Sequence, residues 1–108
     1  MKDDAVYLAQ IKDAANLVQE YVGALDKHGF LADRKTQSAV ILQLMLIGEL
    51  AKRLSEETKL HINLPWKEIA GFRDNAIHEY FHINLDIVWD TIIEDVPLLK
   101  SALKDINI

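Results

Sequence analysis

The stretch AVILQLMLIGELA, residues 39–51, decides the fold, since ten of its thirteen residues are apolar. The interruptions are Gln43, Gly48 and Glu49. A helix that is apolar nearly all round is either buried at the centre of its own domain or shared with a partner. Asp33 is a good N-cap, and this helix is predicted to run from there to about Glu57.

Two interpretations of this helix remain open from the sequence. A bundle of about four helices leaves little room to bury one helix completely. We therefore expect part of its apolar face, where Gly48 permits close approach, to lie in a homodimer interface. The alternative is a helix buried within the core of a single chain.

The flanking helices are predicted from apolar residues spaced three and four apart. The first helix runs from Asp4 to His28, and Gly29 is its C-terminal stop. A polar connector covers residues 55–63, and Pro65 begins a shorter third helix. Each of these helices presents one apolar stripe, as a helix packed on one side does.

The last helix is predicted to start at Asn84 or Asp86, either of which can cap it. Its apolar stripe is interrupted by Pro97, which should kink the helix or separate its last turns. No segment shows sustained alternation of apolar and polar residues, so no strand is predicted. The sequence therefore predicts an all-α fold, an antiparallel bundle of four to five helices that forms a single domain over residues 1–108.

Composition limits the function classes. The chain has 108 residues, half of them hydrophobic, and a net charge of −5. This charge argues against a protein that coats nucleic acid, but not against a nuclease that grips one or two phosphates with local cations.

No run reaches the ~18 apolar residues that span a bilayer, and the acidic, amphipathic start is unlike an export signal. We therefore expect no membrane and a cytoplasmic location. The absence of cysteine excludes a thiolate metal site.

The segment RDNAIHEYFHINLD, residues 73–86, contains two overlapping motifs. His78 to His82 spells H-E-x-x-H, the pattern of zinc proteases, which requires both histidines on one helical face and a third protein ligand. Because the next helix starts close behind, the third helix should end near Glu79 or Tyr80, and the two histidines would not stack. Nothing in the sequence fixes a third ligand either, so we predict no metal site.

The other motif pairs Arg73 with His78. Their side-chain directions diverge by about 140° on an ideal helix, yet a long arginine and a histidine at a fraying helix end could flank one phosphate, within a chain or across a dimer axis. Asp74 lies four residues before His78, the spacing that puts a carboxylate beside an imidazole. Tyr80 returns to nearly the same helical face as Arg73.

These residue types suit RNA cleavage without a metal. Histidine titrates near neutrality and can take the proton from an RNA 2′-hydroxyl. Arginine offers two donors to the phosphate as negative charge builds on it. The expected products are a 2′,3′-cyclic phosphate and a 5′-hydroxyl. The alternative assigns no chemistry: Arg73 and Asp74 would be solvated, and His78 would be a hydrogen-bonded histidine between helices.

A resemblance favours the catalytic interpretation. The pattern R-D-x-x-x-H-x-Y-F at residues 73–81, followed by INLDIVW at 83–89, resembles the signature region of HepT-like proteins, the HEPN toxins of HEPN–MNT toxin–antitoxin systems. Three further blocks resemble this family in the same order: residues 30–37, 47–54 and 64–71. The resemblance therefore covers nearly the whole chain.

The resemblance implies a dimeric, HEPN-like bundle whose two motif helices face each other across a cleft. It also implies a metal-independent endoribonuclease that needs no cofactor and acts on tRNA or mRNA. The implied partner is a minimal nucleotidyltransferase (MNT) antitoxin, which transfers AMP to Tyr80 of a homodimer that can belong to a larger hetero-oligomer. The rival expectation is a non-catalytic HEPN module that binds a nucleotide or docks such a transferase.

The implied residue roles follow the motif. Arg73 binds the phosphate and stabilises transition-state charge, His78 performs general acid/base chemistry, Asp74 supports the site, and Tyr80 is the modified residue. His82 departs from the family pattern, since many relatives carry a small residue there; it either contacts substrate or lies on the surface.

Overall fold

The computed structural model describes residues 2–106, and this range contains helices and no strand. In chain order the helices are α1 (Lys2–Val22), α2 (Lys27–Leu31), α3 (Arg34–Arg53), α4 (Glu56–His61), α5 (Trp66–His78), α6 (Leu85–Asp90) and α7 (Val96–Lys104). A 3-10 turn (Tyr80–His82) follows α5, and a π-helical turn (Thr91–Asp95) joins α6 to α7. The predicted all-α class is therefore confirmed. None of the helices described is long and apolar enough to cross a lipid bilayer.

The pair α1 and α3 forms the centre of the bundle. The two helices run antiparallel, since Asp4 at the start of α1 reaches Ser55 just after the end of α3. Their contact buries an apolar stripe from each helix: Leu8, Ile11, Ala15 and Val18 from α1, and Val40, Leu44, Ile47 and Ala51 from α3. α7 packs on α1, α6 packs on α2, and α5 packs on α3. The helix α3 therefore joins the main core to the helix that carries the motif.

The carboxylate of Asp4 is buried, with 4% exposure, and ties α1 to the first turn of α4. It accepts hydrogen bonds from the Ser55 backbone N–H at 3.1 Å, from the Ser55 hydroxyl and from the Thr58 hydroxyl at 2.6 Å. These bonds hold the pKa of Asp4 below its ordinary value, and the bond from the Ser55 hydroxyl has the largest effect. A buried charge is tolerated here because three donors satisfy it.

The first helix ends earlier than predicted. α1 stops at Val22 because Gly23 adopts a φ of 54°, in the left-handed region that glycine reaches without strain. The residues predicted as its last turn form α2 instead, whose N-cap Asp26 accepts a hydrogen bond from the Gly29 N–H at 2.8 Å. The prediction that this helix reaches His28 and stops at Gly29 is therefore wrong.

The central helix α3 begins as predicted, since the Asp33 carboxylate accepts a hydrogen bond from the Thr36 N–H at 3.0 Å. It ends at Arg53, before the predicted Glu57. The segment 55–63, predicted as a connector, contains α4, so that prediction is wrong. A serine at the start of the segment caps this short helix with its hydroxyl.

The starts of α5 and α6 are confirmed. α5 begins directly after Pro65, and the Trp66 indole N–H donates a buried hydrogen bond of 2.9 Å to the Ile62 carbonyl, which fixes this start. α6 is capped by Asn84, whose side-chain oxygen accepts a hydrogen bond from the Asp86 N–H at 2.9 Å. Both starts are set by side chains within a few residues of the helix.

Pro97 divides the last helix, as predicted. Proline has no N–H for the carbonyl one turn earlier, and its ring crowds that carbonyl. The turn before it widens, so that the Val96 N–H bonds to the Thr91 carbonyl in the π-helical pattern. The backbone angles at Thr91, Asp95 and Val96 stay in the helical region, so the chain passes from α6 to α7 without a loop.

We expect Asp4→Asn to lower the free energy of unfolding by about 1–3 kcal/mol at neutral pH, the range for hydrogen bonds to a charged group. The folded-state pKa of Asp4 is lowered, so its contribution is present above the unfolded-state pKa of about 3.9 and is lost as the pH falls through the folded-state value. The difference between variant and wild type should therefore shrink below about pH 4.

Denaturant unfolding across the acidic range measures this difference. Asp3→Asn is the matched control, since Asp3 is exposed in the same helical turn. A loss of stability in Asp4→Asn that does not change with pH, or that is equalled by Asp3→Asn, would contradict the stabilising role of the Asp4 charge.

Candidate functional site

The motif residues lie on α5 and on the turn that follows it. Arg73 is in the interior of α5, His78 is its last residue, and Tyr80 opens the 3-10 turn. Arg73 and Asp74 are partly buried, whereas His78 and Tyr80 are exposed. The motif therefore has a part fixed on the bundle and a part open to solvent.

Arg73 is held close to α3 because Gly48 lies beneath it. A Cβ at position 48 would stand 2.7 Å from the Arg73 Cβ and 3.0 Å from the Ile69 carbonyl oxygen, which is too close for non-bonded atoms. Glycine is therefore required for the two helices to meet at this separation. We expected Gly48 to permit close approach in a homodimer interface; the structure corrects this, since the helix that approaches Gly48 is α5 of the same chain.

Two carboxylates hold the Arg73 guanidinium. Its Nε is 3.0 Å from Glu49 Oε2, and its Nη1 is 3.2 Å from Asp74 Oδ1. The side chains of Arg73 and Glu49 are 32% and 34% exposed, so solvent and salt screen this pair less than a pair on the open surface. The arginine is thus fixed at the contact of α3 with α5.

Asp74 contacts a second cation. Its Oδ1 is also 3.2 Å from the Nζ of Lys52 on α3. The hydrogen bond from Lys52, and then the one from Arg73, hold the pKa of Asp74 below its ordinary value. We expected this carboxylate to lie beside His78, but no hydrogen bond joins the two in the part of the chain described. Asp74 instead pairs with Arg73, and Lys52 of α3 binds the same carboxylate oxygen.

His78 stands apart from Arg73. No ion pair or hydrogen bond joins them among the described residues, which agrees with a divergence of about 140° on one helix. Tyr80 is 48% exposed and contacts the edge of Phe81, with ring centroids 5.7 Å apart. Because α5 ends at His78, Tyr80 does not continue the helical face of Arg73, contrary to our expectation. The imidazole and the phenol are both accessible to a ligand.

The H-E-x-x-H match does not form a helical metal site. α5 ends at His78 and His82 lies in the 3-10 turn, so the two imidazoles do not share one face of a helix. Within residues 2–106, no three His, Cys, Asp or Glu side chains are grouped closely enough to hold a metal ion. The prediction that the third helix ends before His82 is confirmed. His82 itself is exposed, in agreement with the surface interpretation.

An open apolar groove of about 760 Å³ lies between α5 and the α6–α7 segment. Leu44 and Ile47 of α3 line its interior, and Phe72 of α5 lines one side. On the other side Ile87 is 58% exposed and Leu98 is 65% exposed. α5 therefore packs on α3 and leaves an apolar surface open beside the motif.

The sequence did not identify Glu49 or Lys52 as site residues. Glu49 was visible only as a carboxylate that interrupts an apolar run. A charge in such a run indicates a partner cation, because an unpaired charge is costly to bury. The partner, Arg73, lies on another helix, and only the packing of α3 on α5 reveals it.

Comparison with known proteins gives consistent results along the chain. The family model described as "Ribonuclease HepT-like" matches residues 11–106. A Thermococcus cleftensis protein named "Probable ribonuclease HepT" is 40% identical over 102 residues, which are 94% of this chain and 93% of the relative. A relative from Caldanaerobacter subterraneus subsp. tengcongensis, provisionally named as an RNase, is 38% identical over 98% of this chain and 96% of its own. A Methanocaldococcus jannaschii protein with a similar provisional name is 37% identical over 98% of this chain and 92% of its own. No solved structure matches the chain.

Gly48→Ala should destabilise the fold by pushing α5 away from α3. The added Cβ collides with the α5 backbone and with the Arg73 Cβ, and overpacking of this kind costs about 1–3 kcal/mol. Gly71→Ala is the matched control, since a Cβ there meets nothing within 4 Å and alanine favours a helix by up to ~1 kcal/mol. Thermal unfolding should give a lower Tm than wild type for the first variant and an equal or higher Tm for the second. Equal stability of the two variants would show that Gly48 does not constrain the helices.

Proposed function

Since the chain belongs to the HepT-like ribonuclease family, we propose that it is a metal-independent endoribonuclease whose reactive groups are Arg73 and His78. The proposal rests on one observation about α5. Its Arg73 is held against α3 by an ion pair, while its last residue, His78, is exposed. The arginine is held in place for a phosphate, and the histidine is accessible to a ribose hydroxyl.

The proposed reaction is an attack within the RNA strand. The His78 imidazole takes the proton of a 2′-hydroxyl, the 2′-oxygen attacks the adjacent phosphorus, and the bond from phosphorus to the 5′-oxygen breaks. Arg73 donates hydrogen bonds to the phosphate oxygens as negative charge accumulates on them. The leaving 5′-oxygen takes up a proton from water while the His78 imidazolium later returns its proton to solvent, so the products are a 2′,3′-cyclic phosphate and a 5′-hydroxyl.

The proposed working unit is a homodimer. Arg73 and His78 diverge on one α5, so one phosphodiester can be reached by the arginine of one protomer and the histidine of its partner. Apolar residues left open on the protomer support a second copy: Leu42 and Leu46 of α3 are 53% and 43% exposed, and the groove beside α5 is rimmed by Ile87. Exposed apolar side chains such as these are what a second copy of the chain would cover.

The proposed regulator is an MNT-type nucleotidyltransferase antitoxin that modifies Tyr80. The Tyr80 side chain is 48% exposed in the turn after His78, so its hydroxyl can attack the α-phosphorus of ATP and release pyrophosphate. The resulting AMP places an anion near the imidazole and repels or displaces the RNA phosphate, as phosphorylation acts through charge. The RNA target in this proposal is tRNA or mRNA, and toxin and antitoxin assemble as a hetero-oligomer.

A second candidate function is a non-catalytic HEPN module that docks a nucleotidyltransferase. One observation favours it: both Glu49 and Asp74 already engage the Arg73 guanidinium in the protomer. In that case the arginine is a structural ion-pair partner and the exposed turn is the docking surface. The two candidates differ in whether the protein cleaves RNA.

His78→Ala should reduce RNA cleavage by about 10²–10⁴-fold, the usual contribution of general acid/base catalysis. The matched control is His82→Ala, which removes an exposed imidazole from the adjoining turn and should retain activity. The assay incubates each protein with RNA in the presence and in the absence of EDTA and identifies the termini of the fragments. Equal cleavage by wild type and His78→Ala would eliminate the mechanism. Cleavage that EDTA abolishes and both histidine variants lose would favour the H-E-x-x-H motif, and no cleavage by wild type would favour the docking module.

Tyr80→Phe should resist AMP transfer, because it lacks the oxygen that attacks ATP. Co-expression with a minimal nucleotidyltransferase, followed by mass spectrometry of the intact protein, measures the addition of AMP. Tyr21→Phe is the matched control, since Tyr21 is 40% exposed on α1 and should leave the modification unchanged. If Tyr80→Phe acquired AMP as completely as wild type, this account of regulation would be wrong.

A further inference from the structure

We infer that Glu49 is a positioning residue, which holds the Nε edge of the Arg73 guanidinium and so sets the direction in which the arginine meets a phosphate. The inference rests on the proposed function, because it assigns Glu49 to the same reaction. Glu49 itself touches no substrate in this scheme. Its effect passes through Arg73.

The geometry of the guanidinium supports this role. Glu49 Oε2 lies 3.0 Å from Nε, and Asp74 Oδ1 lies 3.2 Å from Nη1. In the part of the chain described, Nη2 makes no ion pair, so it is the nitrogen left for a phosphate oxygen. An arginine fork that is fixed at two points loses less conformational freedom when it binds a phosphate than a mobile one does.

The position of Glu49 on α3 is itself fixed by the fold. Glu49 follows Gly48, where α5 lies too close to α3 for a Cβ. The other carboxylate oxygen of Glu49 is 3.5 Å from Nη2 of Arg53, one turn along the same helix. The Glu49 carboxylate is therefore held by an ion pair within α3, and the packing of α5 on α3 brings Arg73 to it.

The surrounding charges alternate in sign across the two helices. Arg53, Glu49, Arg73, Asp74 and Lys52 are joined in that order by ion pairs of 3.0–3.5 Å. Three cations and two anions leave this chain of charges positive by one, although the whole protein has a net charge of −5. The carboxylates thus hold the cations in place without cancelling the local attraction to a phosphate.

A competing role for Glu49 predicts the opposite result. If its carboxylate merely occupied the place of the substrate phosphate, its removal would release Arg73 and increase cleavage. The observed pairing on Nε, at the side of the fork rather than across both terminal nitrogens, argues for positioning. The two roles are therefore separated by the direction in which activity changes.

The test compares Glu49→Ala and Glu49→Gln with wild type in RNA cleavage. Glu49→Ala should lower kcat/KM by about tenfold to a hundredfold, the effect of losing one ion-pair contact to a partly buried guanidinium. Glu49→Gln keeps a polar oxygen of the same reach beside Nε, without the charge, and should recover part of the loss. Glu20→Ala, an exposed carboxylate on α1, is the control and should be unchanged. Glu49→Ala as active as wild type, or more active, would overturn the inference.

A double variant shows whether Glu49 acts through Arg73. Combining Glu49→Ala with Arg73→Ala should be no worse than Arg73→Ala alone, because the group being positioned is already gone. A loss equal to the product of the two single losses would overturn the inference, since it would mean that Glu49 acts independently. Unfolding curves of all variants confirm that each remains folded in the assay.

A readout independent of cleavage separates this inference from the proposed function. The Nε–H resonance of Arg73, assigned by its absence in Arg73→Lys, should exchange more slowly with solvent in wild type, where the Glu49 carboxylate lies 3.0 Å from Nε, than in Glu49→Ala, with Glu49→Gln between them. A resonance that Glu49→Ala leaves unchanged would overturn the inference whatever the activity. If the resonance responds as expected but wild type cleaves no RNA, the positioning of Arg73 by Glu49 is supported and only the ribonuclease proposal is overturned.

Discussion

Arg73 rests on α3 at a separation that only a glycine at position 48 permits. This close approach brings Arg73 of α5 to Glu49 of α3. It also brings Asp74 of α5 to Lys52 of α3. α5 also lines the open apolar groove toward α6 and α7. One steric constraint between two helices therefore sets the charged contacts of the motif arginine.

The sequence predicted where helices begin more accurately than where they end. Asp33 and Asn84 cap helices through their own neighbouring N–H groups, so a local rule suffices to locate them. The end of α1 could not be read in the same way, because two glycines were available and only Gly23 adopts the left-handed conformation. The short helix α4 was missed because its serine cap and its buried bond to Asp4 were hidden in a polar stretch.

The members of the candidate site were predicted from family resemblance, but their contacts were not. The motif names Arg73, His78 and Tyr80 without reference to any other helix. The partnership of Arg73 with Glu49 depends on how α3 packs against α5, which no local spacing encodes. The spacing of Asp74 to His78 indicated a hydrogen bond that does not form, and the carboxylate pairs with Lys52 and Arg73 instead. The ion pairs between α3 and α5 therefore had to be found in the structure, although the motif itself was found in the sequence.

The bond between Asp4 and Ser55 joins positions 51 residues apart, and this separation imposes an order on events during translation. The ribosome releases a chain from its N-terminus onward. The first helix therefore emerges well before its carboxylate has donors, and the hairpin of α1 and α3 is completed only when Thr58 has followed. The motif helix emerges after that, and α6 and α7 follow it. The motif residues therefore join a hairpin whose two helices were made before them, while the helices on the far side of the groove are still to come.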